Sequence, residues 1–262
     1  VAVPVLALPA VAGARVITLV GSGSSAAQPY MQELFKGYSR LHKEQIKFQY
    51  VPDGGNAGVK DVQAGRVEFS INTRPPLLTD AGTSQVKLFL DALCIVVNQD
   101  NSISDISLTN LKNIFLGVDT SWSQVTGSNL TTTIDPIGRD SAAGQYTFFQ
   151  QSVLGGATQA QNVAQDTSDG LVRNGVKQDP NSIGYVGLAN SGSPLKKLTV
   201  DGVACSAPHI RNETYPLFRY DWGVWPTAHP NVQVLQFFNW VRTSAAAGKI
   251  INEAGAVAAF NK

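Results

Sequence analysis

The sequence predicts an α/β fold with a mostly parallel sheet, on three observations. Strand-length apolar runs alternate with amphipathic runs of helical period along the chain. Three strand-to-helix junctions are glycine-bearing turns, at 21–26, 53–58 and 138–145. Apolar residues make up 43% of the 262, enough to build a sizeable core.

Taken in order, "RVITLVGSGSSAAQPYMQELFKGYSRLH" reads as strand, glycine turn and helix, with Met31, Leu34, Phe35 and Tyr38 at helical spacing. "QIKFQYV" alternates as a strand and stops at "PDGG"; "AGVKDVQAG" gives a short helix and "RVEFSINTRPP" a strand ending in a turn. "DALCIVVNQDN" is a buried strand, and "SLTNLKNIFLG" starts on a Ser/Thr cap and runs as a helix to Gly117. "TTIDPIGRDSAAGQYTFFQQSVLG" repeats strand, anion-type turn and helix. "TSDGLVRNGVKQDPNSIGYVGLANS" supplies a helix and then a strand. The tail "VQVLQFFNWVRTSAAAGKIINEAGAVAAF" holds two amphipathic helical stretches. Trp222, Trp225, Phe237, Phe238 and Trp240 read as packing residues rather than a stacking platform. All three glycine turns fall at strand C-terminal ends, where open α/β sheets bind ligands.

Composition narrows the function. Charged residues are only 15%, so surface polarity must come from Ser, Thr, Asn, Gln and Gly, a balance common in extracytoplasmic proteins. Net charge is +1 with no basic stripe carrying interleaved aromatics, which argues against nucleic-acid binding. His42, His209 and His229 stand in unrelated contexts, and no nucleophile elbow or metal-binding spacing exists, so neither a catalytic centre nor a metal site is expected. Cys94 and Cys205 are either a disulfide or two buried thiols. N-x-[ST] sequons occur at Asn129 and Asn212. The uncharged opening "VAVPVLALPAVA" is similar to the end of a signal peptide, with "AVA" as a cleavage-like site, and is too short to span a bilayer. As an apolar arm it would pack on its own chain or on a neighbouring copy.

The turns carry the chemistry. "GSGSSA" offers amides, a positive helix end and the hydroxyls of Ser22, Ser24 and Ser25 to an anion. It also fits a plain capped turn, or a dinucleotide fingerprint with Asp53 as the ribose acid. "PDGGNAG" is a second glycine-rich helix entrance, and "NTRPP" places Thr73 and Arg74 at a strand end. "GRDSAAGQYTFF" puts Arg139 beside a third helix entrance.

Together "DALCIVVNQDNSISDISLTNLKNIFLGVDTSWSQVTG", "SIGYVGLA" and the run from "YPLFR" to "AGKIINEAG" resemble the phosphate-binding solute receptors of ABC transporters. The resemblance implies two α/β lobes of the type II periplasmic-binding-protein kind, joined by two crossing strands that close on the ligand. It implies an apolar arm at 1–13, a first lobe at 14–92 and 199–262, a second lobe at 93–198, and a Cys94–Cys205 disulfide bracing the hinge. It implies an extracytoplasmic, non-enzymatic protein without cofactor, which binds phosphate or a related tetrahedral oxyanion and passes it to a membrane permease. Carried over by position, the ligand set is Ser24, Ser25 and the Ala26 amide; Gly55 and Asn56; Thr73 and Arg74; and Arg139, Ala143, Gly144 and Gln145. Four positions at three sites depart from the family pattern: Gly55 for a serine, Thr73 for Asp or Ser, and Ala143 and Gln145 in Ala143-Gly144-Gln145 for Ser-Gly-Thr. The departures imply weaker or altered binding. They also leave a second reading, a receptor fold reused as a surface or self-assembling protein with residues 1–12 docked on a neighbour.

Overall fold

The computed structural model describes residues 16–260; the apolar arm expected at 1–13 lies outside them. The chain runs through β1 (Ile17–Gly23), α1 (Gln28–Leu41), β2 (Ile46–Val51), α2 (Gly55–Gln63) and β3 (Phe69–Asn72). The long strand β4 (Thr83–Asn98) leads to β5 (Asp105–Ile106), α3 (Leu108–Phe115), β6 (Asp135–Arg139) and α4 (Gly144–Ser152). Then come β7 (Ala164–Asp166), α5 (Asp169–Gln178), β8 (Ser182–Gly187), β9 (Leu195–Lys197), β10 (Thr199–Val200), β11 (Val203–Ala204) and α6 (Ala207–Arg211). The chain closes with β12 (Phe218–Pro226), α7 (Val232–Thr243) and α8 (Ala245–Glu253).

The main sheet has the order β2-β1-β3-β12-β4-β8-β6-β7, with β9 also on β4. β2, β1 and β3 pair in parallel at one end, as do β8, β6 and β7 at the other. Between them β12 and β4 run antiparallel to each other and to their outer neighbours. β4 pairs with β12 over its first half and with β8 over its second, so one strand serves both halves of the molecule. This is the α/β alternation the sequence predicts, with β12 as a strand that the sequence reading did not assign.

Each half has its own core. The first holds Leu19, Tyr30, Leu34, Phe69, Phe89, Phe237 and Phe238, packed by α1, α7 and α8. Met31, Leu34, Phe35 and Tyr38 are buried on α1, as their spacing predicts. The second core holds Ile95, Phe115, Trp122, Phe149 and Tyr185. Val200, Cys205, Ile210, Tyr215 and Leu217 also belong to it. Cys94 and Cys205 form a disulfide inside this second core. Burying an apolar side chain contributes roughly 1.5–3 kcal/mol, so each half has the means to hold its turns rigid.

Where the halves meet, Asp91 on β4 acts as a hub. Its carboxylate accepts from Tyr30 Oη of α1 (3.0 Å), from Arg219 Nη2 of β12 (2.7 Å) and from the Leu188 amide after β8 (3.0 Å). Beside it Asp221 is fully buried, and neither of its carboxylate oxygens has a partner. Burial, and then the Asp91 charge, holds the Asp221 carboxyl well above the usual carboxylate range, against the opposing effect of Arg219.

Candidate functional site

Three helix entrances and the end of β3 close tightly around one small crevice. Ser24 and Ser25 come from the first turn, Gly54 and Gly55 from the second, and Thr73 from the residue after β3. Arg139, Ala143, Gly144 and Gln145 come from the junction of β6 and α4 in the other half. Residues separated by more than a hundred positions meet because three antiparallel pairings lie between the two parallel strand sets, so the sets run in opposite senses and their C-terminal ends face each other.

The approach is close enough to require glycine at two positions. A Cβ on Gly144 would lie 2.1 Å from Asn72 Oδ1, and one on Gly55 would lie 2.4 Å from the same atom. The side chain of Asn72 also accepts from the Thr73 amide (2.8 Å) and so shapes the β3 end of the cavity. Sequence reading did not single out this residue; it carries no pattern of its own.

Polar atoms in the wall remain unpaired. Ser25 Oγ and Thr73 Oγ1 are buried and have no hydrogen-bond partner. Ser24 Oγ is used locally, accepting from the Ala27 amide (3.1 Å), while its carbonyl accepts from Tyr50 Oη (3.0 Å). α4 has no side-chain cap at Ala143, so its first-turn amides keep the positive end of the helix facing the cavity. Buried polar groups without partners are uncommon in folded proteins and mark places where a ligand or ion belongs.

Arg139 is 1% exposed and largely bound by its own half. Its Nε donates to the Asp166 carbonyl (3.0 Å) and its Nη2 to the Thr167 carbonyl (2.8 Å). Its Nη1 donates to Gln145 Oε1 and to Asp169 Oδ1, both at 2.5 Å. Gln145 Nε2 in turn donates to Asp169 Oδ2 (3.2 Å), which also accepts from the Gly187 amide (2.7 Å). The Arg139 backbone is pinned by Tyr185 Oη and Gln159. Asp169 is thus the counter-charge of the site. From sequence it reads only as an acidic residue in the first turn of a helix, thirty positions from the arginine it neutralises.

Three expected ligand contacts, Arg74, Asn56 and Ala26, are placed elsewhere. Arg74 does not line the cavity: its Nη1 and Nη2 hold both Asp80 oxygens at 2.7 and 2.9 Å, and its Nε holds Asn56 Oδ1 at 2.6 Å. Asn56 also lies outside, in an adjoining groove with Arg74. Its Nδ2 donates to the Ser141 carbonyl (3.1 Å), the Ala143 carbonyl (3.1 Å) and Thr147 Oγ1 (2.8 Å) across the divide. The Asn56 and Ala57 amides both donate to the Ala142 carbonyl. The N-terminus of α2 therefore grips the opposite half. Ala26 is buried just behind the first turn, where a Cβ on Gly187 would meet its own at 3.2 Å. Asp53, the ribose acid of the dinucleotide reading, accepts from the Gly23 amide (3.0 Å) and braces the turn instead.

Among the described residues no group of His, Cys, Asp and Glu could hold a metal ion, and no helix is long and apolar enough to cross a membrane. A family model described as a PBP superfamily domain matches residues 9–244. Among curated proteins, the chain is 26% identical over 248 residues to the phosphate-binding protein PstS of Borreliella burgdorferi, covering 89% of this chain and 87% of that one. It is 27% identical to protein SphX of Synechococcus elongatus, covering 94% and 79%. Among solved structures, a phosphate-bound putative phosphate ABC transporter substrate-binding protein from Clostridium perfringens superposes with a TM-score of 0.85 at 20% identity, covering 92% of this chain and 99% of that one. An ABC-type phosphate transport receptor from Vibrio cholerae gives 0.75 at 22% identity, covering 91% and 99%.

Proposed function

The chain belongs to the PBP superfamily, and from that premise we propose that it is an extracytoplasmic solute-binding protein of ABC-type phosphate uptake. It is a binding protein, not an enzyme. Phosphate or a related tetrahedral oxyanion sits between the two halves and is passed to a membrane permease. The lobes are 16–92 with 218–260, and 93–217, joined by β4 and β12. The relatives named as phosphate-binding, matched over most of their length, favour this reading over reuse as a self-assembling surface protein.

One observation carries the proposal: turns from both halves converge on one crevice whose wall keeps two buried, unpartnered hydroxyls. Ser25, Thr73, the Gly144 and Gln145 amides and Arg139 are its ligand contacts. Asn56 and Arg74 serve closure, by joining α2 to the 141–147 segment. A hydrogen bond to a charged group contributes about 1.5–3 kcal/mol. Ser25→Ala therefore weakens phosphate binding by roughly ten- to a hundredfold in titration calorimetry, without moving the melting temperature of the free protein. An unchanged affinity removes Ser25 from the site. Arg139→Ala is a poorer test, because it leaves Asp169 buried and uncompensated at a cost of about 3–5 kcal/mol in stability.

A further inference from the structure

Among the described residues that line the crevice, Arg139 alone carries a charge. A guanidinium has five N–H groups, and four of these are engaged within its own half. Three of the four bonds belong to the scaffold. Nε and Nη2 hold the Asp166 and Thr167 carbonyls, beside the β6–β7 pairing that sets Asp166 opposite Arg139. Nη1 holds Asp169 Oδ1, and that carboxylate is itself fixed through Oδ2 by the Gly187 amide.

The fourth bond is of another kind. Nη1 donates to Gln145 Oε1 (2.5 Å), the end of a neutral side chain in the first turn of α4 that is 1% exposed and lines the crevice beside the arginine. An amide oxygen on a guanidinium N–H stands where an anion's oxygen would stand. Gln145 Nε2 reaches Asp169 Oδ2 (3.2 Å), so one side chain bridges both members of the ion pair and is held in place at each end. An ionised oxygen makes the stronger bond to Arg139, but it has to displace the amide first.

Resting on the oxyanion reading above, we propose that the Gln145 side chain is a built-in competitor of the ligand. It occupies Arg139 Nη1 and sets the affinity of the crevice below what its arginine would otherwise give. A bound oxyanion takes over that donor, and Gln145 Oε1 gives it up. Asp169 does not depend on Gln145: without the amide it keeps Arg139, the Gly187 amide and a longer contact with Asn190 Nδ2 (3.4 Å). The ion pair therefore survives truncation of Gln145, which separates competition from mere support of Arg139.

Titration calorimetry of the full chain with phosphate tests this, comparing the wild type with Gln145→Ala and Gln145→Ser variants whose folding is checked by melting temperature. Releasing one charge-assisted donor should tighten binding by about tenfold or more. Equal or weaker binding in a folded variant overturns the proposal, because a residue that only positions Arg139 loses affinity when it is truncated. Should neither variant fold, a crystal structure of the wild type with arsenate decides. Gln145 Oε1 moved out of hydrogen-bond reach of Arg139 Nη1 supports competition, and an intact bond beside the bound ion overturns it. Binding of no oxyanion by the wild type or either variant contradicts the oxyanion reading itself, a result distinct from binding that truncation leaves unimproved.

Discussion

At the scale of single residues, the chemistry turns on how Arg139 is used. Its position beside a helix entrance is legible in "GRDSAAGQ", and so is the loss of hydroxyls at Ala143 and Gln145. What the sequence leaves out is that Gln145 turns its carbonyl to the guanidinium and its amide to Asp169, making a neutral, buried triad. That pairing depends on α5 starting beside β6, a tertiary fact with no local signal. Asp221 was equally hidden, because in β12 it is the polar members of the alternation, Arg219 and Asp221, that are buried while the aromatics are only partly so. Its raised carboxyl fixes a sign. Below about pH 4 the folded and unfolded chains both hold the proton, whereas above it only the folded chain does. This group's contribution to stability is therefore present in acid and is lost as pH rises toward its folded value. Asp221→Asn cannot titrate, so the melting temperature of the variant should gain on the wild type between pH 4 and pH 8. A constant gap across that range would contradict the assignment.

At the scale of elements, the three glycine turns were readable as anion-type entrances because each couples a strand end to a helix start. Their division of labour was not. All three line the cavity, but the N-terminus of α2, through Gly54 and Gly55, also spends its Asn56 and Ala57 amides on the Ala142 carbonyl and sends Asn56 across to three acceptors. Arg74, whose place at a strand end looked like a ligand position, holds Asn56 in that pose. Net hydrogen bonds of this kind contribute about 0.5–1.5 kcal/mol each. Asn56→Ala should therefore weaken phosphate binding by about tenfold and expand the free protein measurably in small-angle scattering. Unchanged affinity and dimensions would show that the contact is incidental. The Cys94–Cys205 bridge closes a loop across 111 positions within the second core. In the chain-entropy account a loop of that length contributes about 4–5 kcal/mol. A double Cys→Ser variant should lose stability of that order in urea unfolding, and a loss under 1 kcal/mol would argue against it.

At the scale of the whole molecule, β4 and β12 form the shared spine on which two halves are hung. The Asp91 hub ties α1, β12 and the end of β8 together at that crossing. The alternation of strands and helices made the α/β class readable from one sequence. The return crossing was harder to place, since 199–217 is a run of very short strands and one short helix whose side chains show their allegiance only by packing on the second core. The halves meet over a small crevice whose wall keeps unpartnered hydroxyls, and the central claim is that a tetrahedral oxyanion fills it. A crystal structure of the chain with arsenate, read by anomalous scattering from arsenic, locates that ion directly. The account predicts one strong peak between Ser25, Thr73 and Gly144; saturating arsenate with no peak there would contradict it.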